Sequence, residues 1–158
     1  MKDIETIYGN RVRVRVCGIA IHQNKLLLVR HEGLGESGQL WSFPGGGLEF
    51  GEDLISGLIR EFKEETSLDI EVKEQLFIYE FIKTPLHAVE IYFRVNIRNG
   101  SLQTGHDPEL GEDVQHLKEA RFVTFDELKV MKTDTKHEIL QRIHDKEALL
   151  NLSGYFKF

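Results

Sequence analysis

Residues 11–17 alternate strictly. Arg11, Arg13 and Arg15 stand between Val12, Val14 and Val16, and Cys17 continues the run. A two-residue period predicts a strand with one wet face. After a turn at Gln23 and Asn24, residues 25–30 read as a second, more buried strand. Residues 41–43 read as a short strand stopped by Pro44 and by Gly45, Gly46 and Gly47. Residues 53–66 switch to helical spacing, with Leu54, Leu58 and Phe62 on one side. Two long strands, residues 70–83 and 87–97, meet at a tight turn around Thr84, Pro85 and Leu86. A polar loop over residues 99–117 leads to a last strand at residues 120–124. Thr124 with Glu127, and Thr135 with Glu138, are spaced as capping boxes. They predict a short helix, then a longer one carrying Ile139, Ile143 and Leu149. Long strands with few helices argue an α/β protein, a mixed sheet packed by helices.

Composition narrows the class. A chain of 158 residues is large enough for one domain with a real core. Its 41% hydrophobic and 29% charged content is that of an ordinary soluble protein. The net charge of −6 argues against a broad nucleic-acid-binding surface. No apolar run approaches the ~18 residues of a membrane span, and the first ten residues lack a signal-peptide core. Cys17 is the single cysteine, so no internal disulfide and no cysteine zinc site can form. That fits a reducing cytoplasm, with Cys17 as inert core.

The chemistry concentrates on the helix at 53–66. Glu61 and Glu64 are three apart and Glu61 and Glu65 are four apart, so three carboxylates crowd one face. Like charges at that spacing cost roughly 0.2–0.5 kcal/mol per pair. A hard cation turns the cost into a site, because Mg²⁺ and Ca²⁺ take oxygen ligands.

The full stretch 46–68 reads Gly46, five residues, Glu52, seven residues, Arg60-Glu61, Phe62, Lys63, Glu64-Glu65, Thr66, Ser67, Leu68. It resembles the signature of the Nudix hydrolases. Every charged position matches. Ser67 stands where that family has Gly, at a helix end expected to be left-handed. The resemblance covers roughly residues 10–130 and implies the Nudix α/β/α sandwich with a mixed sheet. Residues 1–158 are then expected to form one such domain, with a helical C-terminal extension from about residue 131.

The same resemblance implies hydrolysis of a diphosphate linkage in a nucleoside diphosphate derivative such as ADP-ribose or a sugar nucleotide. Clean-up of damaged nucleoside triphosphates is the rival activity. A non-catalytic nucleotide-sensing module is the rival class. By resemblance, Glu61, Glu64 and Glu65 hold Mg²⁺, with the Gly45 carbonyl as a further donor and Mn²⁺ as a substitute. Arg60 orients a carboxylate. Glu52 supports the site by pairing with the arginine or through water. The family draws its general base from the motif helix or from a later loop. Here Glu64 is the helix candidate, and the loop offers Glu109, Glu112, Asp113 and Glu119. Glu112, beside the flexible Gly111, is the favoured loop residue. The implied partner is a small-molecule nucleotide, with no nucleic acid and no membrane. Many relatives dimerise, so a homodimer is the assembly to test.

Three other signals carry little weight. Gly33, Gly35 and Gly38 fit a dinucleotide-binding spacing, but the extended run ending at Pro44 follows where a helix is required. The histidines include no metal-binding pair. Trp41 and Phe43 read as core.

Overall fold

The alternating run at the N-terminal end builds the strand around which the molecule is arranged. The structure is a computed structural model and describes residues 4–105 and 116–158. β1 (Arg11–Ile19) pairs in parallel with β7 (Leu86–Asn99), placing Arg15 beside Glu90 and Cys17 beside Tyr92. On its other side β5 (Gly45–Gly47) runs antiparallel, with Gly47 beside Arg15 and Gly45 beside Cys17. β6 (Asp69–Lys83) pairs antiparallel with β7, and β9 (Gly154–Phe156) adds in parallel to β6. Among the described residues this makes a mixed sheet in the order β5-β1-β7-β6-β9. In a second sheet, β3 (Lys25–Glu32) pairs antiparallel with β2 (Ile21–His22), β4 (Gln39–Ser42) and β8 (Leu117–Thr124).

Helices cover both faces. α2 (Leu54–Thr66) buries Leu58 and Phe62 against Val16, Leu27, Phe93 and Val95. Burying side chains of that size is worth about 1.5–3 kcal/mol each. Neighbouring strand positions point the other way. Cys17, Leu26, Leu28, Phe77, Tyr79 and Tyr92 meet the C-terminal helices α3 (Phe125–Val130), α4 (Glu138–Arg142) and α5 (Lys146–Leu150). The two-residue period thus supplies both cores. No helix among the described residues is long and apolar enough to cross a membrane.

Both ends of α2 follow local rules. Asp53 caps its start, its side chain accepting from Ser56 N at 2.8 Å. Ser67 ends it at φ 64°, ψ 10°, the left-handed conformation expected there.

Four features depart from the sequence reading or add to it. First, the short strand ends at Ser42, and the glycines after Pro44 form a strand of their own, β5. Second, the wet face of β1 is not its most exposed one. Val12 and Val14 are exposed, whereas Arg13 and Arg15 are partly buried. The arginine side closes over a cavity, and α2 leaves the valine side uncovered at this end. Third, an N-terminal helix, α1 (Ile4–Tyr8), precedes β1, too short to show a periodicity. Asn10 N–H joins that end of the chain to Pro85 O at 2.8 Å.

Fourth, the longer C-terminal helix is two five-residue helices. Thr135 belongs to a 3-10 turn (Thr133–Thr135) and donates to Lys132 O rather than capping. His137 caps α4 instead, its Nδ1 accepting from Ile139 N at 3.1 Å. The chain becomes extended at Ile143, and Asp145 caps a new start, accepting from Ala148 N at 2.7 Å. The longer hydrophobic period had concealed that second cap. β9 then closes the edge of the mixed sheet.

Candidate active site

Arg60 gathers the motif. It grips Glu52 with two donors, Nη2 to Oε1 at 2.6 Å and Nε to Oε2 at 3.1 Å. Such a two-point pair fixes geometry as well as charge. Nη1 reaches Glu61 Oε1 at 3.0 Å and both oxygens of Glu64 at 3.3 Å. Nη2 also donates to Gly47 O at 3.2 Å. The hydrogen bonds to Arg60 hold the Glu52 carboxyl below its ordinary range, and Glu52 in turn keeps Arg60 protonated. Pairing with the arginine, one of the two supports expected for Glu52, is present.

Glu65 and Glu61 turn toward the glycine strand. Glu65 is buried, and its Oε1 accepts from Gly45 N at 2.6 Å. Gly45 therefore meets the carboxylates through its amide. A Cβ at Gly45 would strike the backbone of Val16 and Cys17, so only glycine lets β5 lie this close to β1. A Cβ at Gly46 would land in the Glu61 carboxylate. Glycine at both positions is thus what brings the backbone up to the acidic side chains.

The donor chemistry fits a hard divalent cation. Glu49, Glu52, Glu61 and Glu64 all share the guanidinium of Arg60, and Glu65 lies against the Gly45 amide. Among the described residues, no three His, Cys, Asp or Glu side chains form a ready-made metal cage. Arg60 holds Glu61 and Glu64, and the Gly45 amide holds one oxygen of Glu65. Occupancy by a cation requires these side chains to exchange partners.

Glu61 and Glu65, with the Gly45–Gly47 strand, line one part of a cavity of about 770 Å³. Arg13 and Arg15 of β1 line it as well, and Tyr79, Phe81, His137 and Gln141 are also in its wall. Arg60, Glu52 and Glu64 are not lining residues. His31 does line it, with Nε2 3.6 Å from Glu65 Oε2. Burial first, then the positive charge of Arg15 and the neighbouring His116, push the His31 pKa down to about 3. His31 is therefore neutral near pH 7, and its contact with Glu65 is not an ion pair.

Glu90 and His137, which both line the cavity, belong to a buried charge network. Glu90 is 4% exposed and accepts from Tyr92 Oη at 2.6 Å, His137 Nε2 at 3.2 Å and Arg15 Nη1 at 3.4 Å. His137 Nδ1 accepts from a backbone amide, which assigns the proton to Nε2, facing Glu90. Burial alone pushes a carboxyl up; here His137, Arg15 and the Tyr92 hydroxyl outweigh it and hold Glu90 well below its usual range. Burial and Glu90 push the Cys17 thiol up, so Cys17 is inert, as its surroundings in the sequence indicate. Sequence reasoning missed Arg15, His31, Glu90 and His137. Glu90 had a weak signal, a lone charge between Val89 and Ile91 in a strand with core on both sides.

The loop candidates for the general base part ways. Glu109, Glu112 and Asp113 lie outside the described residues. Glu119 lies in β8, pairs with Arg30 at 3.2 Å and Arg121 at 3.1 Å, and does not line the cavity.

The sequence profile of the NUDIX domain matches residues 10–143. The chain belongs to the Nudix family. It is a Nudix hydrolase, an enzyme of the pyrophosphohydrolase type. It is 33% identical over 123 residues to an ADP-ribose pyrophosphatase of Methanocaldococcus jannaschii, covering 75% of this chain and 70% of the relative. It is 33% identical over 105 residues to Nudix hydrolase 2 of Arabidopsis thaliana, spanning 65% of this chain but only 38% of that longer protein. A NUDIX hydrolase from Nitrosomonas europaea has the same fold, with a TM-score of 0.69 at 19% identity over 84% of this chain and 85% of the other. An ADP-ribose pyrophosphatase from Streptococcus suis superposes with a TM-score of 0.61 at 17% identity, covering 91% and 98% of the two chains.

Proposed function

We propose that this Nudix hydrolase depends on a divalent cation, Mg²⁺ or Mn²⁺, and splits the diphosphate linkage of a nucleoside diphosphate derivative such as ADP-ribose or a sugar nucleotide. The observation that carries the reading is the cavity. It joins Glu61 and Glu65 to two arginines and to aromatic walls, so a diphosphate can lie beside the carboxylates while its organic arms fill the rest. The activity named for the Methanocaldococcus relative supports the same substrate class.

Glu61, Glu64 and Glu65 are the residues that would hold the cation, with the Gly45 carbonyl as a further donor. A bound cation there neutralises phosphate oxygens and makes its bound water more acidic. Arg60, clamped by Glu52, orients Glu61 and Glu64 for that task. Either Glu64 or Glu112 takes the proton from the attacking water. The substrate is a small molecule rather than nucleic acid, and the free thiol of Cys17 suits a reducing cytoplasm.

The test is product release from ADP-ribose, sugar nucleotides and damaged nucleoside triphosphates, each with Mg²⁺ and with excess EDTA. The reading expects ADP-ribose or a sugar nucleotide to be cleaved fastest, and only with the metal. Preference for the triphosphates would replace the substrate class. Full turnover in EDTA would remove the metal.

A further inference from the structure

Resting on the reading just given, we infer that Arg15 forms a built anion subsite that holds one phosphate of the substrate's diphosphate beside the carboxylates of α2. Arg15 lines the cavity on the strand paired directly with the motif glycines, opposite Gly47. Its Nη1 is tied to Glu90, while its Nε is buried and has no hydrogen-bond partner among the described residues. A buried donor left unpaired is unfavourable, and an acceptor oxygen brought within its reach would relieve that cost. The site already contains the groups that fix the guanidinium. Glu90 lines the cavity as well; anchored by Tyr92 Oη and His137 Nε2, it sets where Arg15 sits. Glu90 is a positioning residue. Arg13 continues the same face of β1 toward α1 and lies over the Tyr8 ring, 4.1 Å from its centroid. The cationic strip therefore runs from the carboxylates along the cavity wall, as an elongated dianion requires. A guanidinium suits a phosphate better than an ammonium because its planar fork can engage two oxygens.

Calorimetric titration at saturating Mg²⁺ tests this with three probes: the non-hydrolysable α,β-methylene-ADP, inorganic pyrophosphate and adenosine. Arg15→Met should weaken both diphosphates by about 10–100-fold, the scale of a charge-assisted hydrogen bond, and leave adenosine unchanged. Arg15→Lys should recover part of the loss. Removing Arg15 alone strands the buried Glu90 charge, so Arg15→Met is also made together with Glu90→Gln, which removes both charges. The double variant should melt close to the parent and bind diphosphates as poorly as Arg15→Met. Glu90→Gln alone should weaken pyrophosphate, yet add nothing once Arg15 is gone, a non-additivity that general loss of structure would not produce. Diphosphate affinity within twofold of the parent in a folded Arg15 variant overturns the inference and leaves the hydrolase reading standing. Arg15-dependent binding of pyrophosphate with no binding of α,β-methylene-ADP supports the subsite and sinks the nucleotide reading. A parent that binds neither diphosphate overturns both.

Discussion

The motif helix and the chain after residue 131 obey different kinds of rule. α2 begins at its own cap, ends at its own left-handed residue and holds its charged cluster together with Arg60, all within residues 52–67. The C-terminal stretch is held from elsewhere. His137 N–H donates to Trp41 O at 2.9 Å, Lys136 Nζ to Leu128 O at 3.0 Å, and β9 pairs with β6. Helices of five residues are not stable by themselves, so their boundaries follow the surface that receives them. Chemistry and architecture are thereby separated: damage to α2's carboxylates should stop the reaction, and damage near residue 137 should loosen the protein.

The sharpest break in that contrast comes from Glu64→Gln. It keeps the side chain's shape and removes its charge. Turnover at saturating Mg²⁺ should fall by ~10²-fold or more, the scale of losing a placed catalytic group. The metal-free melting temperature should stay within a few degrees, because a partly exposed ion pair with Arg60 contributes little. Turnover within threefold of the parent, with the fold intact, would remove the carboxylate face from the mechanism.

His137→Ala should do the reverse. It deletes the α4 cap and one partner of the buried Glu90 carboxylate. A loss of about 2–4 kcal/mol is expected in urea unfolding. Unchanged stability would show that the C-terminal segment is not pinned there.

Acid should separate the regions again. His31 binds its proton less readily folded, near pH 3, than unfolded, near 6.5. The unfolded chain therefore holds more protons between those values, and stability falls as pH drops through that window. In metal-free protein, His31→Gln should remove up to about one proton from that slope. An unaltered slope would mean that His31 titrates normally when folded.

The smallest effect concerns the end of α2. Ser67→Gly should raise stability by ~1 kcal/mol or less, since glycine accepts a left-handed conformation without strain. A lower melting temperature would contradict the observed φ of 64°.

These contrasts also explain what could be read in advance. The strands, the motif helix, its left-handed end and the Thr124–Glu127 capping box are signals carried within a few residues, and the structure has each of them. The pairing of Arg15 with Glu90 depends on the parallel register of two strands far apart in the chain. Alternation marks Arg15 as polar-facing, whereas Glu90 is a lone charge in a strand with core on both sides. Neither signal says that the two side chains meet at one cavity. His137 was hidden for the same reason: its cap and its contact with Glu90 exist only once Trp41 and β7 are in place.

The central claim is a divalent-cation site on the carboxylate face of α2, and a crystal soaked in Mn²⁺ tests it most directly. The account predicts an anomalous difference peak within about 2.0–2.3 Å of oxygens from at least two of Glu61, Glu64 and Glu65, distances typical of small divalent ions on oxygen. A strong peak elsewhere in the cavity, with none at this face, would contradict it.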